Sequence, residues 1–169
     1  MIKVPLVGKF KGQYALVDDC DKWVLNLRWA GKRGRSGIIY AIVSQWKGGL
    51  NTQLLHRLIL GLKPGDPNVD HKDGNGLNNL RNNLRLATQS QNCMNRQKTW
   101  GISKYKGVSW DKDVNKWRSH IAKNGSQICL GRYISEIEAA EAYDKKAIEL
   151  FGEFARLNFP KNRRKYENH

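Results

Sequence analysis

Asp70-His71-Lys72-Asp73-Gly74-Asn75, followed by Asn83 and Asn92, brings a carboxylate, an imidazole and two amides into one short stretch. Hydrolysing a phosphodiester needs an activated water, neutralisation of the charge that develops in the transition state, and stabilisation of the departing oxygen. One histidine and one divalent ion can supply all three. An unperturbed imidazole titrates near about 6.5, so His71 would be free to take a proton from water around neutrality. Asp70 and Asn92 each offer an oxygen, and two such ligands leave most of an octahedral shell for water and phosphate, as magnesium prefers. Asp73 lies inside a turn and gives no convincing second metal, so a single-ion site is expected. The same residue types also build ordinary turns, and spacing alone leaves that reading open.

These groups meet only if the chain folds back between them. Val69-Asp70-His71 reads as a strand end, Asp73-Gly74-Asn75-Gly76 is dense in turn formers, and Leu84-Arg85-Leu86-Ala87 alternates as a return strand. Thr88 is placed to cap a helix running through Asn92 to Arg96. The result is a ββα unit over about 67–96. Upstream, Leu54, Leu55, Leu58, Ile59 and Leu62 recur at helical spacing ahead of Pro64 and predict a short amphipathic helix over 54–62. His56 and Arg57 fall off its apolar face, His56 as a packing residue and Arg57 as a candidate for positioning a phosphate. Before that, Tyr14–Val17 and Ile38–Val43 read as strands of a small sheet, joined by exposed turns such as the basic one at Lys32, Arg33 and Arg35.

Composition narrows the partner. Lys and Arg number 30 against 15 Asp and Glu, a formal net charge of +15, which favours a polyanion. The excess is carried by both halves of the chain. Cys20, Cys93 and Cys129 are far apart and form no C-x-x-C pair, so neither a zinc ribbon nor a disulfide framework is indicated, and a reducing compartment fits best. No apolar run approaches the roughly 18 residues of a membrane span, and Met1-Ile2-Lys3-Val4-Pro5 starts no signal-peptide core, so a cytoplasmic protein without membrane association is expected.

Leu55-His56-Arg57-Leu58, Val69-Asp70-His71-Lys72-Asp73-Gly74-Asn75, Asn78-Asn79-Leu80, Asn82-Asn83-Leu84-Arg85 and Thr88-Gln89-Ser90-Gln91-Asn92 together resemble the HNH endonucleases. The similarity is to the phage-type homing endonucleases in which the last histidine is replaced by asparagine, and it covers roughly residues 50–96. It implies that His71 is the general base, that Asp70 and Asn92 are metal ligands, and that Asn83 ties the long turn together so that His71 is oriented. A neutral amide binds a transition metal less strongly than imidazole, so permissive use of one Mg2+ or Mn2+ ion per site is expected. Asn95, one helical turn from Asn92, is the alternative second ligand. The resemblance also implies a mobile intron or free-standing gene of a phage, acting in the host cytoplasm.

Gln97 to Lys104 lacks periodicity and reads as a linker. Beyond it, Gly107–Trp110, Lys116–Lys123 and Ser126–Tyr133 read as three strands, with Asn124-Gly125 as a type I′ hairpin turn. Ser135-Glu136-Ile137-Glu138 supplies a capping box for a helix ending at Gly152, whose inner face would carry Ile137, Ala140, Tyr143, Ala147 and Leu150. Alternation puts Trp117, Ser119 and Ile121 on the side facing the helix and Arg118, His120 and Ala122 on the other. Tyr105-Lys106-Gly107-Val108, Trp117, Leu130-Gly131, Ala139–Asp144 and Gly152–Phe159 resemble the APETALA/ethylene-response-factor DNA-binding domain of plants, in which the sheet enters the major groove with the helix behind it. The resemblance makes Lys106, Ser109, Trp110, Arg118, His120, Gln127 and Arg132 the candidates for DNA contact. Ser109, His120 and Ala122 stand where charged residues are usual in that family, so the plant recognition sequence does not carry over.

The expected fold is α+β: a small N-terminal β-region leading into a ββα-metal motif, then a three-stranded antiparallel sheet packed on one α-helix. The expected domains are a nuclease domain over 1–96, a linker over 97–104, a DNA-binding domain over 105–160 and a basic tail over 161–169. The expected activity is that of a metal-dependent endonuclease on double-stranded DNA, nicking as a monomer, with no organic cofactor. The alternative is a DNA-binding regulator or architectural protein whose nuclease half does not cut. An RNA-binding role ranks behind both, because no stacking motif of the common RNA modules is present.

Overall fold

Val4 and Leu6 alternate with exposed neighbours along Ile2–Val7, which forms β1, and Ala15 and Val17 do the same along Tyr14–Val17, β2. Pro5 sits within β1 without breaking the sheet. β1 pairs with β2 over residues 2–5 and with β3, Trp29–Arg33, over Leu6 and Val7, so Pro5 is flanked by a paired strand on one side only. β4, Ile39–Val43, and β5, Gln53–Leu54, complete a five-stranded sheet of order β2-β1-β3-β4-β5. The computed structural model describes residues 1–34, 36–43, 52–96 and 101–167. Arg35 and part of the expected linker lie outside the described residues.

The predicted helix over 54–62 is shorter than its periodicity suggested. Leu54 is spent on β5, and α1 runs only over Leu55–Ile59, with Gly61 following at φ +66°. α1 buries Leu55 and Ile59 against Trp29, Val24, Val17 and Val43 in one apolar core, which also takes Val69 and Leu84. Fully burying a side chain of this size stabilises by about 1.5–3 kcal/mol. β6, Asn68–His71, and β7, Leu84–Ala87, pair antiparallel as a two-stranded ribbon, and α2 follows over Gln89–Met94. Thr88 caps α2 as expected: its Oγ1 accepts from Gln91 N at 3.2 Å, and Gln91 Oε1 accepts from Thr88 N at 2.8 Å.

Two compact units divide between Asn92 and Cys93. The second contains β8, Val108–Asp111, β9, Lys116–Lys123, and β10, Ser126–Tyr133, in the order β10-β9-β8, all antiparallel. Asn124 and Gly125 both adopt positive φ, as a type I′ turn requires. α3, Glu136–Phe151, starts at Ser135, whose Oγ accepts from Ile137 N at 3.2 Å, and packs on the sheet. Its inner face is Ala139, Ala140, Tyr143, Asp144, Ala147 and Phe151. Ile137, expected on that face, is instead 53% exposed. Gly107 is fixed by Tyr143: at φ +73° a Cβ there would lie 2.0 Å from the ring. No helix among the described residues is long and apolar enough to cross a membrane.

Candidate nuclease site and nucleic-acid interface

The ββα unit places Asp70 and His71 at the end of β6, opposite Arg85 and Leu84 of β7. Both are buried, at 3% and 5% exposure. The turn between the strands is built by its own side chains. Asn83 Nδ2 donates to Asp73 Oδ1 at 3.0 Å and to the Asn78 carbonyl at 2.8 Å, and Asn83 Oδ1 accepts from Asp73 N at 3.1 Å. Asp73 also accepts from Asn75 N and Asn78 Nδ2, so its carboxylate staples the turn.

The N-terminal sheet holds this turn in place. Leu16 N donates to Leu77 O and Asn79 N to Leu16 O, each at 2.8 Å, forming a bridge onto β2. Arg81 reaches the buried Asp21 through Nε and Nη2, at 2.9 and 2.7 Å, and the Ile59 carbonyl at 3.0 Å. Gly76 is buried so tightly against β4 that a Cβ would fall 2.5 Å from Ile39 O and 2.7 Å from Tyr40 Cδ1.

That close approach sets Tyr40 beside the histidine. The Tyr40 and His71 rings lie 5.9 Å apart, and His56 of α1 stands 5.0 Å from His71 at 84°, edge to face. Burial, with smaller contributions from His71 and Arg57, pulls His56 down to about 3, so it is neutral at any ordinary pH. Burial also lowers the pKa of His71, opposed by its hydrogen bond to Asn79 and by the Asp73 and Asp70 charges. His71 Nε2 lies 3.4 Å from Oδ1 of Asn79, a residue with no solvent exposure whose Nδ2 donates to Leu77 O at 3.0 Å. Because the Asn79 amide is oriented by that donation, Oδ1 is an acceptor and favours the His71 tautomer with its proton on Nε2. Asn79, His56 and Tyr40 were not assigned to the site from sequence; only the register of the fold brings them to it.

Asp70 is paired with Arg85, whose Nε and Nη2 both reach Oδ2, at 2.8 and 2.6 Å. Asn92 is half-buried on α2. Gln89, one turn earlier on the same face, accepts from Asn68 Nδ2 at 3.2 Å and ties that helix to the start of β6. Asn95 falls after α2 in the second unit. Arg57 does not present a free guanidinium: Nη1 donates to Pro67 O at 3.0 Å and Nη2 to Lys63 O, clamping the loop that enters β6. Among the described residues no three His, Cys, Asp or Glu side chains cluster as a metal site.

In the second unit, directly paired residues share a face. Ser109, Arg118 and Arg132 form one cross-strand row, and His120 and Cys129, then Ala122 and Gln127, extend that face. Ile121 and Val108 are buried on the other, helix-facing side. Arg132 Nε donates to Asp111 Oδ2 at 2.8 Å, and this guanidinium holds the Asp111 carboxyl below its usual range.

Trp110 and Lys106 depart from the expected row. Trp110 pairs with Trp117, ring centroids 5.0 Å apart, on the helix side. The Lys106 ammonium donates to the Met94 carbonyl, and burial together with the Arg156 and Arg96 charges pulls it down to about 8, with Cys93 opposing. The unfolded lysine titrates near 10.5, so the folded unit bears the cost of a buried ammonium below pH 8 and sheds it as pH rises to 10.5. Lys106→Met should therefore stabilise the protein by about 2 kcal/mol near neutrality. That advantage should vanish by pH 10.5, as read by denaturant unfolding at each pH.

A family model described as HNH endonuclease matches residues 53–94. An uncharacterized HNH endonuclease of Acanthamoeba polyphaga mimivirus is 37% identical over 158 residues, covering 90% of this chain and 79% of the relative. Protein 3.8 of Escherichia phage T7 is 36% identical over 93 residues, 53% of this chain and 74% of that protein. APETALA2-like protein 2 of Oryza sativa is 40% identical over 57 residues, 34% of this chain and 13% of that protein. No solved structure matches.

Proposed function

The chain belongs to the HNH endonuclease family, and on that premise we propose that it hydrolyses phosphodiesters of double-stranded DNA, with His71 as general base and one divalent ion, Mg2+ or Mn2+, per site. The observation that carries this reading is the His71–Asn79 contact beside Asp70. With the proton on Nε2 directed at Asn79, Nδ1 is the basic nitrogen of the tautomer that this contact favours, as a general base requires. Tyr40 and His56 pack against the ring, and Asn83 keeps the turn rigid, so little ordering remains to be done when substrate arrives.

The donor set suits a hard cation. Asp70 and Asn92 each offer a ligand oxygen, and the Asp70 carboxylate lies buried at the end of β6. Asp70 and Asn92 would hold the ion, and Asn92 is preferred to Asn95 because it shares a face with Gln89 beside β6. Bound there, the cation would neutralise charge on the phosphate and the departing oxygen. One site per chain supports nicking by a monomer.

The row of Ser109, Arg118, Arg132, His120 and Gln127 supports docking of the second unit's sheet on duplex DNA. Lys106 and Trp110 lie off that face, and Arg57 is tied to backbone carbonyls, so none of the three belongs to our contact set. Alanine at Arg118 or Arg132 should weaken DNA binding by roughly tenfold each in an equilibrium gel-shift titration, with metal dependence of cutting retained.

Supercoiled plasmid incubated with the purified chain and Mg2+ tests the reading as a whole. Relaxed circles are expected, and EDTA should prevent them. Tight binding of DNA without any cutting would instead support a regulator.

A further inference from the structure

We infer that Arg85 is a built-in counter-ion for Asp70 and that any divalent ion must compete with it, which makes Arg85 a positioning residue that sets metal affinity. The inference rests on the proposed role of Asp70 as a ligand. A carboxylate with 3% exposure is costly to bury alone, and the β6–β7 register places Arg85 directly across from it. Arg85 is itself only 10% exposed, and its Nε and Nη2 converge on the single oxygen Oδ2. The pair preforms the carboxylate without metal, since charge-assisted hydrogen bonds of this length hold it in one orientation.

The same arrangement opposes the metal. A guanidinium within 2.6 Å of the ligand oxygen repels an approaching dication, in a site too buried for water to screen the repulsion fully. Displacing Arg85 also leaves its charge in need of another anion, and the DNA phosphodiester is the anion this site is proposed to receive. Weak metal binding in the free protein follows from Arg85, in addition to the choice of asparagine over histidine at position 92.

Calorimetric titration of the full chain with Mn2+, in the absence of DNA, tests this. Arg85→Gln removes the competing charge and should tighten Mn2+ binding by about tenfold or more. Arg85→Lys keeps a charge and should stay within about threefold of the unsubstituted protein by the same electrostatic argument. Thermal melts run alongside should show Arg85→Gln less stable without metal and shifted further by Mn2+ than the unsubstituted chain. Unchanged or weaker Mn2+ binding by a folded Arg85→Gln overturns the inference. If Arg85→Gln does not fold, tighter binding by Arg85→Lys than by the unsubstituted protein overturns it instead. Asp70→Asn separates the two levels: Mn2+ binding that survives it removes Asp70 as ligand, and the inference with it.

Discussion

Replacing His71 by alanine is expected to lower the single-turnover rate of phosphodiester cleavage by about 10³-fold, within the range that positioned general bases supply. DNA affinity should stay within about twofold, because the cationic row on the second unit's sheet is untouched. The split between rate and affinity is what distinguishes loss of a base from loss of grip. Rate constants measured with enzyme in excess over a labelled duplex, beside an equilibrium binding curve, read both quantities.

Asn79→Leu is expected to have the next largest effect, on the order of 10²-fold in the same rate, because misorientation of a reacting group is costly even when the group is present. The Asn79 oxygen favours the His71 proton on Nε2, so its loss should weaken the preference for that tautomer. Asn79→Asp keeps an acceptor in place and should recover part of the loss. The imidazole nitrogen signals in an NMR spectrum should report one tautomer in the unsubstituted protein and a mixture in Asn79→Leu. The Leu77 carbonyl loses the Asn79 amide but still accepts from Leu16 N, so the turn should survive the change.

The ββα unit was legible because local rules govern it. Alternation in Leu84–Ala87, turn formers between Asp73 and Gly76, and Thr88 as a cap each act over a few residues; the strand, the turn and the cap all form, although Leu86 is 51% exposed and so does not share the burial of Leu84. In the second unit, Asn124-Gly125 announced its hairpin in the same way. β1 was not legible, because Pro5 argues against a strand unless one knows that its neighbours pair on different sides.

At the site, Asp70, His71, Asn83 and Asn92 could be picked out of the sequence, whereas the side chains packed against His71 could not. Asn79, His56 and Tyr40 reach His71 through burial and tertiary register, which no spacing encodes. Arg85 was an exception, since counting back from a His71–Leu84 pair would have set it opposite Asp70. Arg57, beside the apolar face of its helix, and Lys106, in the segment that resembles the plant domain, read from sequence as candidates for DNA contact. Both are bound to backbone carbonyls, a use of a cation that composition does not distinguish.

The most direct test of His71 as base is chemical rescue. Cleavage of duplex DNA by His71→Ala in Mg2+ should be restored in proportion to added imidazole, and more strongly by more basic imidazoles, while the unsubstituted enzyme stays indifferent. Cutting by His71→Ala that already equals that of the unsubstituted enzyme before imidazole is added would contradict the account.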